Sequence, residues 1–258
     1  MINVLTISGS DPSGGAGMQA DLRVINALGC YGMGVVTALT AQSTQGVSSV
    51  WPLSCDQVAV QAATLLDDIM PDAVKVGMLG SDDAAKGVLE TLQRYELPNV
   101  VVDTILLSSS GAALFDVGQK DLLLEIMRRA VVVTPNIPEI EALLGAGGQS
   151  PADMVRRLSD LCGGVSVMLT GGHGEGDTLT DTFYDAPEDH LFYFTHVRVN
   201  TPNSHGTGCT LSSALACYLA QGHSLSDAAR RASDFVYRAL ADGQHLTLGH
   251  GHGPAFFG

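Results

Sequence analysis

The sequence predicts an α/β protein in which a mostly parallel central sheet is covered by helices on both faces. Short apolar runs alternate along the chain with segments whose apolar residues recur at helical spacing, which is typical of such a fold. Hydrophobic residues make up 45% of the 258 residues, enough to bury a large core. Because no linker or repeat divides the chain, we expect a single domain over residues 1–258.

The predicted elements follow one another in a regular order. Apolar runs predict buried strands at INVLTIS, YGMGVVTALTAQS, DAVKVGML, NVVVDTIL, AVVVTPN and SVMLTGG. Helical spacing predicts helices at AGMQADLRVINALG, SCDQVAVQAATLLDDI, SDDAAKGVLETLQRYEL, KDLLLEIMRRA, PEIEALLG, PADMVRRLSDLCG and LSDAARRASDFVYRALADG. Ser54 or Asp56 is expected to cap the second helix, and Pro138 suits a first helical turn. The segment DTFYDAPEDHLFYFTHVRVN breaks the alternation and predicts antiparallel edge strands or a hairpin that turns at Asp185 to Asp189.

Charge and cysteine content exclude several classes of protein. The formal net charge is −14, and the chain has only three lysines, which argues against a nucleic-acid-binding surface. Five widely spaced cysteines without a C-x-x-C pair indicate neither a disulfide framework nor a zinc site. No apolar run reaches membrane-spanning length, and no signal peptide is recognised at the N-terminus. We therefore expect a cytoplasmic protein that binds no nucleic acid and no membrane.

Small polar residues cluster where the predicted strands end. They are Gly9, Ser10, Asp11, Gln42, Ser43, Gly77, Met78, Asp103, Thr134, Pro135, Asn136, Thr170, Gly171, Gly172 and His173. Ligands of open α/β sheets bind beyond the carboxyl ends of the strands, so six such ends favour one continuous site. The alternative is that these residues only form the turns, in which Gly, Asn, Asp and Ser are common.

The segment VNTPNSHGTGCTLSSALA places a thiol at the start of a helix, directly after a glycine loop. Backbone N–H groups at such a position lack intrahelical acceptors, and the helix dipole adds positive potential, so Gly206 to Cys209 predict an anion site that needs no lysine. The same potential can lower the pKa of the Cys209 thiol and let it accept a proton from a substrate hydroxyl. The alternative is that Cys209 is a small buried hydrophobe, as we expect for Cys217.

Two long segments resemble the hydroxymethylpyrimidine/phosphomethylpyrimidine kinases, which belong to the ribokinase superfamily. They are GSDPSGGAGMQADLRVINALGCYGMGVVTALTAQSTQGV near the start and VNTPNSHGTGCTLSSALA near the end. The shorter segments DAVKVGML, VVDTILLSSSG, TPNIPEIEALL, GGH and GHGHGP occur between and after them in the family's order. The resemblance covers essentially the whole chain.

The resemblance implies a three-layer ribokinase-like fold and an enzyme that uses ATP and Mg²⁺. Its substrate would be 4-amino-5-hydroxymethyl-2-methylpyrimidine and then the monophosphate, giving the pyrophosphate in thiamine biosynthesis. The implied pyrimidine contacts are Gly9, Asp21, Gln42, Met78 and Ile105. The implied catalytic residues are Gly206, Thr207, Gly208 and Cys209, where related sugar kinases place an aspartate at the last position. The resemblance also suggests a homodimer.

The segment NIPE matches the superfamily's N-x-x-E motif. Asn136 and Glu139 are therefore expected to help order Mg²⁺ and the phosphates, and Asp103 is the expected second acidic contributor to the metal site. Thr170 and Gly172 are expected at the nucleotide. Without the resemblance, Glu139 could equally be a residue that the helix dipole favours in a first turn.

The sequence departs from the family pattern at two lysine positions. Ser109 and Thr170 stand where the family usually has lysine, so ATP has less side-chain charge to bind. Two other functions therefore stay open: a pyridoxal kinase, and a weakly active pyrimidine-binding paralogue. His173 and His205 could contact phosphate. His250 and His252 are expected in a tail near the nucleotide rather than in a metal site.

Overall fold

The computed structural model describes residues 1–106, 120–145, 147–171 and 176–256. Its strands are β1 (Asn3–Ser8), β2 (Tyr31–Val36), β3 (Ala38–Ser43), β4 (Gly46–Pro52), β5 (Ala73–Val76), β6 (Val100–Val102), β7 (Val132–Val133), β8 (Ser166–Leu169), β9 (Thr178–Asp185) and β10 (His190–Val197). Its helices are α1 (Gly17–Ala27), α2 (Cys55–Leu66), α3 (Asp82–Arg94), α4 (Lys120–Met127), α5 (Ile137–Leu144), α6 (Pro151–Leu161), α7 (Thr207–Ala220) and α8 (Leu225–Gly243).

Eight of the described strands form one twisted sheet in the order β10-β9-β8-β7-β6-β5-β1-β2. The six strands from β8 to β2 are parallel, while β9 and β10 are antiparallel and form the predicted hairpin at one edge. Asp189 adopts a left-handed conformation, with φ 45°, in the turn that closes this hairpin. The predicted mostly parallel sheet with an antiparallel edge is therefore confirmed.

Helices cover both faces of the sheet, because side chains on successive strand residues point to opposite sides. Leu5 and Ile7 of β1 pack in a core with helices α2 to α6, whereas Val4 packs in a second core with α1, α7 and α8. Helix α7 is the most enclosed of the described helices, and every residue from Cys209 to Leu219 is buried. The predicted three-layer α/β fold is confirmed, and Cys217 lies in the core as expected.

One predicted strand is wrong in its bounds. The segment YGMGVVTALTAQS forms β2 of the main sheet and then β3 of a separate two-stranded sheet with β4. The chain leaves the main sheet at Thr37, whose fully buried hydroxyl donates to the carbonyl oxygen of Met78. Strand β4 (GVSSVWP) was not predicted, because two serines interrupt its apolar residues. The resulting hairpin carries Gln42 to the carboxyl edge of the sheet.

Local signals fixed several helix ends. Ser54 caps α2 and forms a capping box with Gln57, and Pro138 lies in the first turn of α5 as predicted. Gly29 has φ 74° just after α1, as is common for a glycine that follows the end of a helix. No helix in the described part of the chain is long and apolar enough to cross a membrane.

Candidate active site

A cavity of about 750 Å³ opens at the carboxyl edge of the parallel strands. Its volume lies in the range of small-molecule sites. The predicted site residues that line it are Gly9, Gln42, Met78, Asp103, Ile105, Asn136, Glu139, Thr170, Gly206, Thr207, Gly208 and Cys209. Asp21 is absent from the lining, and Gly172 lies outside the described residues. Strand ends that lie far apart in sequence thus meet at one site.

The first turn of α7 presents unpaired backbone amides to this cavity. Gly206 caps the helix in a left-handed conformation, with φ 78°, and makes no side-chain cap hydrogen bond. The first close intrahelical bond runs from the Thr210 N–H to the Gly206 carbonyl, at 2.9 Å. The Gly208 and Cys209 amides have no acceptor within the described ranges. This arrangement is the expected anion-binding turn.

Gly206→Ala should destabilise the protein by at least about 2 kcal/mol, because alanine disfavours this φ and its β-carbon would overlap the Gly15 carbonyl oxygen. Urea unfolding measures this loss. Gly222→Ala is the matched control, since Gly222 also has positive φ, 87°, but an added β-carbon meets nothing within 4 Å. Equal losses in the two variants would show that contact with Gly15 does not fix the α7 turn.

Cys209 lies at this turn, but its thiol is not the expected thiolate. The residue is 6% exposed, and burial raises the pKa of the thiol to about 12 in the ligand-free protein. The Lys75 ammonium lowers this pKa, the carboxylates of Asp21 and Asp103 raise it, and the Gly17 N–H contributes a smaller lowering. The predicted low pKa is therefore wrong, because the loss of water outweighs the potential of the helix end.

Alkylation of Cys209 by iodoacetamide should become faster up to the highest pH at which the protein stays folded, without a plateau near pH 9. Only the thiolate reacts, and below a pKa of about 12 its fraction rises about tenfold with each pH unit. Mass spectrometry of the Cys209 peptide measures the rate, with N-acetylcysteine as the free-thiol reference. A plateau below pH 9 would mean that the site already favours the thiolate.

Asp103 follows β6 and faces the α7 turn. It is 5% exposed; the Thr134 hydroxyl donates to its Oδ1 at 3.3 Å, and the Ser212 hydroxyl lies 3.1 Å from its Oδ2. A β-carbon at Gly208 would lie 3.7 Å from Oδ2, an ordinary van der Waals distance, so Asp103 lies against the first turn of α7. Burial raises the pKa of Asp103, although Lys75 opposes the shift.

Glu139 closes a capping box at the start of α5. Its Oε2 accepts hydrogen bonds from the Asn136 N–H, at 3.0 Å, and from the Thr104 hydroxyl, at 3.1 Å. Burial and, to a smaller extent, the nearby charge of Asp103 raise the pKa of Glu139 to about 7. Glu139 therefore has the first-turn role considered as an alternative, and it also lines the cavity.

Asp103 and Glu139 fit a magnesium site that is completed by other ligands. The pKa of each carboxyl is raised, in part by another negative charge, and a bound cation would relieve this repulsion. The described ranges contain no cluster of three or more His, Cys, Asp or Glu side chains that could hold a metal. Two carboxylates are enough for Mg²⁺, which in phosphoryl-transfer sites keeps water and phosphate oxygens as its other ligands.

Asp21 is an ion-pair partner in the core and does not line the cavity, and its contact with the pyrimidine stays a prediction. Both of its carboxylate oxygens lie 2.9 Å from the Lys75 ammonium, and both side chains are fully buried. Thr6 and Ser213 hydroxyls donate to the same carboxylate at 2.6 and 2.9 Å. Sequence reasoning missed Lys75, because a lysine inside the apolar run DAVKVGML gives no sign of its partner 54 residues away.

One wall of the cavity includes Gly9, Gln42 and Met78. A β-carbon at Gly9 would lie 2.8 Å from the Met78 sulfur, so these residues are in close contact. The Gln42 amide approaches His205, whose Nε2 also lies 2.9 Å from Asp11 Oδ2. Asp11 and Gln42 line the same cavity as His205.

The sequence did not predict the residues that line the far end of the cavity. Its wall comes from β9, β10, the segment after β10, and α8, and consists of Leu179, Asp181, His196, Val197, Arg198, Val199, Thr201, Ser233, Val236, Tyr237 and Leu240. Arg198 adds a cationic side chain to this wall, and Thr170 lines the same cavity. The position of Ser109 and that of His173 lie outside the described residues. The sequence predicted the β9–β10 hairpin only as an edge of the sheet, and no motif in it indicated a ligand-binding wall.

The C-terminal tail with His250 and His252 packs on the β3–β4 turn and beside the site. The backbone amides of His250 and Gly251 donate to Thr44 Oγ1, at 3.3 and 3.2 Å. The tail also pairs with the segment before α7, where His205 and Pro254 form a parallel bridge.

Parallel strand ends, an anion-binding helix turn and two buried carboxylates around one cavity define a ribokinase-like small-molecule kinase. Comparison with known proteins then specifies the family. Residues 11–256 match the family described as phosphomethylpyrimidine kinase, to which the chain therefore belongs.

Individual relatives agree with this assignment. The chain is 40% identical to the hydroxymethylpyrimidine/phosphomethylpyrimidine kinase of Escherichia coli (strain K12), over 98% of this chain and 96% of that protein. A crystal structure of phosphomethylpyrimidine kinase from Clostridium difficile 630 has 36% identity and a TM-score of 0.79, covering 93% of this chain and all of that one. Pyridoxal kinase from Staphylococcus aureus, in complex with AMP-PCP and pyridoxal, has 32% identity and a TM-score of 0.85, covering 99% and 93%.

These comparisons confirm the predicted family, the ribokinase-like fold and the class of enzyme. The protein is a kinase, which transfers a phosphoryl group to a small molecule.

Proposed function

We propose that the protein phosphorylates 4-amino-5-hydroxymethyl-2-methylpyrimidine with ATP, and then phosphorylates the monophosphate to the pyrophosphate, in thiamine biosynthesis. One observation carries the proposal: the α7 turn with Cys209 and the carboxylates of Asp103 and Glu139 line the same cavity. The first group suits a migrating phosphoryl group and the second suits its metal ion. The similarity to kinases that are named for these pyrimidines supports the choice of acceptor.

The pyrimidine belongs beside Gly9, Gln42, Met78 and Ile105. Met78 and Ile105 offer apolar surface to the ring, and Gln42 offers an amide to its polar atoms. This position leaves the hydroxymethyl group on the side of Cys209.

ATP belongs at the opposite end of the cavity. The aliphatic side chains of Leu179, Val199 and Leu240 suit a nucleobase, and Arg198 supplies the cation that the sequence lacks at Thr170. The S. aureus pyridoxal kinase binds AMP-PCP, an ATP analogue, which supports a nucleotide site in this fold.

The reaction forms a bond between the hydroxymethyl oxygen and the γ-phosphorus as the bond to the β,γ-bridging oxygen breaks and ADP leaves with its electron pair. The Gly208 and Cys209 amides hold the phosphoryl oxygens, which carry much of the charge in such a transition state. Asp103 and Glu139 would hold Mg²⁺, which supplies charge neutralisation at the phosphates.

Cys209 accepts the hydroxyl proton in this scheme, which requires its own proton to leave first. In the ligand-free protein the pKa of about 12 disfavours that step. The negative charge of Asp103 is one cause of the raised pKa, so neutralising this carboxylate lowers the pKa of Cys209 and favours the thiolate. The hydroxyl proton is transferred to Cys209 only late in the reaction, because the phosphoryl-transfer transition state is loose.

Incubation of purified protein with ATP, Mg²⁺ and the hydroxymethylpyrimidine tests the proposal, with mass spectrometry to detect the mono- and diphosphate. Formation of neither product would reject it. Monophosphate alone would restrict the activity to the first phosphorylation. Omission of Mg²⁺ should abolish turnover if the two carboxylates serve a metal ion.

Pyridoxal kinase is the second candidate, because the fold matches the pyridoxal-bound S. aureus enzyme over 99% of this chain. Both acceptors would be supplied together, and the ratio of products gives the ratio of their kcat/KM values. A ratio that favours pyridoxal phosphate would replace the pyrimidine assignment. Calorimetry that shows pyrimidine binding without turnover would instead favour the weakly active paralogue.

The single domain, the homodimer and the cytoplasmic location stay predictions. The continuous eight-stranded sheet supports a single domain. Light scattering after gel filtration would measure the oligomeric state.

A further inference from the structure

Gln42 contacts two neighbours, His205 and Thr40, that determine the orientation of its side-chain amide. A glutamine amide has an acceptor end and a donor end, and a half turn about its last torsion exchanges them without moving another group. The terminal amide atoms of Gln42 lie 3.2 Å from His205 Nε2 and 3.4 Å from Thr40 Oγ1. The inference that follows rests on the proposed function, because it concerns what this amide offers to the pyrimidine.

His205 presents a donor on this side of its ring. Its Nε2 lies 2.9 Å from Asp11 Oδ2, and both side chains are buried. The Asp11 carboxylate also accepts hydrogen bonds from the Ser13 and Ala16 amides, each at 2.8 Å. Burial raises the pKa of Asp11, but the hydrogen bonds from His205, Ser13 and Ala16 outweigh it and the pKa lies below its ordinary value. An ionised carboxylate only accepts hydrogen bonds, so Nε2 carries a hydrogen.

The imidazole has a fixed position. A β-carbon at Gly15 would overlap the ring, so the glycine provides its space. The backbone of His205 is paired on both sides, since its N–H donates to the Gly253 carbonyl and its carbonyl accepts from the Ala255 N–H. The single Nε2 hydrogen is directed mainly at Asp11, at 2.9 Å, and the Gln42 amide at 3.2 Å can only share it as a second, weaker acceptor.

Two independent contacts now give the same orientation for the amide. An Nε2 that carries a hydrogen cannot accept from the Gln42 NH₂ group, whereas the amide oxygen can share that hydrogen with Asp11, so the oxygen is favoured on this side. The Thr40 hydroxyl donates its single hydrogen to the Ser10 carbonyl at 2.8 Å, so its oxygen can only accept, and it matches the amide NH₂. With the oxygen toward His205, the NH₂ group keeps one N–H for a ligand in the cavity that Gln42 lines.

We propose that His205, fixed by Asp11, is a positioning residue that makes Gln42 a hydrogen-bond donor to the substrate. The site then selects heteroaromatic rings that carry an unprotonated nitrogen opposite Gln42. Rings with C–H or N–H at that position leave the amide unpaired or face it with a second donor, and both lower the affinity.

The test uses the hydroxymethylpyrimidine and two analogues, each with one ring nitrogen replaced by C–H. The wild-type protein should show a kcat/KM about tenfold or more lower for one of the two analogues, as expected for a lost hydrogen bond in a buried site. His205→Leu and Gln42→Leu should lower kcat/KM for the parent compound and reduce this discrimination to within about twofold. Each analogue differs from the parent compound in intrinsic reactivity and basicity. These differences are the same for every variant, so they cancel when the ratios of kcat/KM are compared between the wild type and the variants.

His205→Gln is the rescue variant, because its amide can place an N–H where Nε2 lies, and it should restore most of the discrimination. Asp11→Asn, which no longer requires a hydrogen on Nε2, should weaken it, and serves as the second variant if His205→Leu does not fold. Wild-type discrimination that persists in the His205 and Asp11 variants would overturn the inference, as would equal use of the parent and both analogues by the wild type. Failure to phosphorylate the parent at all would instead reject the proposed function.

Discussion

Cys209→Ala should lower kcat by about 10²–10⁴-fold, the usual contribution of a positioned proton acceptor. The KM for the pyrimidine should stay within about threefold, because the ring is proposed to bind beside Gly9, Gln42 and Met78 instead. Steady-state kinetics with saturating ATP and Mg²⁺ would measure both constants. The expected pattern is a loss of transition-state stabilisation with ground-state binding retained.

Cys209→Ser separates chemistry from packing. Its hydroxyl fills nearly the same space beside the Gly17 N–H, but it is a far weaker acid than a thiol, so it should also lower kcat strongly. Urea unfolding of each variant tests whether the fold is retained. A kcat that is unchanged in Cys209→Ala would remove the thiol from the reaction, and the α7 amides would then act without it.

Lys75→Met should cost about 3–5 kcal/mol of the free energy of unfolding, as expected when one partner of a buried ion pair is removed. The change leaves the Asp21 carboxylate fully buried without its cation, and only the Thr6 and Ser213 hydroxyls remain to bind it. Urea denaturation monitored by circular dichroism would measure the loss. The same experiment on Lys86→Met, an exposed lysine of α3, should give a change within about 0.5 kcal/mol.

The double variant Lys75→Met/Asp21→Asn should recover most of that stability, to within about 1 kcal/mol of the wild type, since neither charge is then left unpaired. Recovery would show that the cost lies in the unpaired charge and not in the shape of the lysine side chain. If the single variant is as stable as the wild type, the buried ion pair between Lys75 of β5 and Asp21 of α1 does not contribute to the stability of the fold.

Most of the fold was predictable because hydrophobic periodicity reports burial locally. The strands from β5 to β8 are continuous apolar runs, and the edge hairpin shows as a break in the alternation with turn residues near Asp189. The β3–β4 hairpin was not predictable in this way. Its residues are half exposed and rich in small polar side chains, and the departure of the chain from the main sheet depends on the contact of Thr37 with the distant Met78 carbonyl.

Much of the candidate site was also predictable, since strand-end residues and the glycine loop mark positions that the topology brings together. What could not be predicted depends on tertiary contacts. The motif around Cys209 indicates a helix end, but only the packed structure shows how completely the thiol is removed from water. Likewise, the pairing of Asp21 with Lys75 and the approach of Arg198 to the cavity join segments that are far apart in the chain.

Helix α7 is buried from Cys209 to Leu219, so the packing around it fixes the position of its N-terminal turn. A shift of the turn by even a fraction of an ångström would require the sheet, α1 and α8 to repack together, which close-packed interiors resist. The phosphoryl acceptor and donor therefore bind at a fixed helix end. Any movement of the protein during the reaction involves other segments of the chain. Engineering a new acceptor should accordingly begin with the walls of the cavity and leave the helix unchanged.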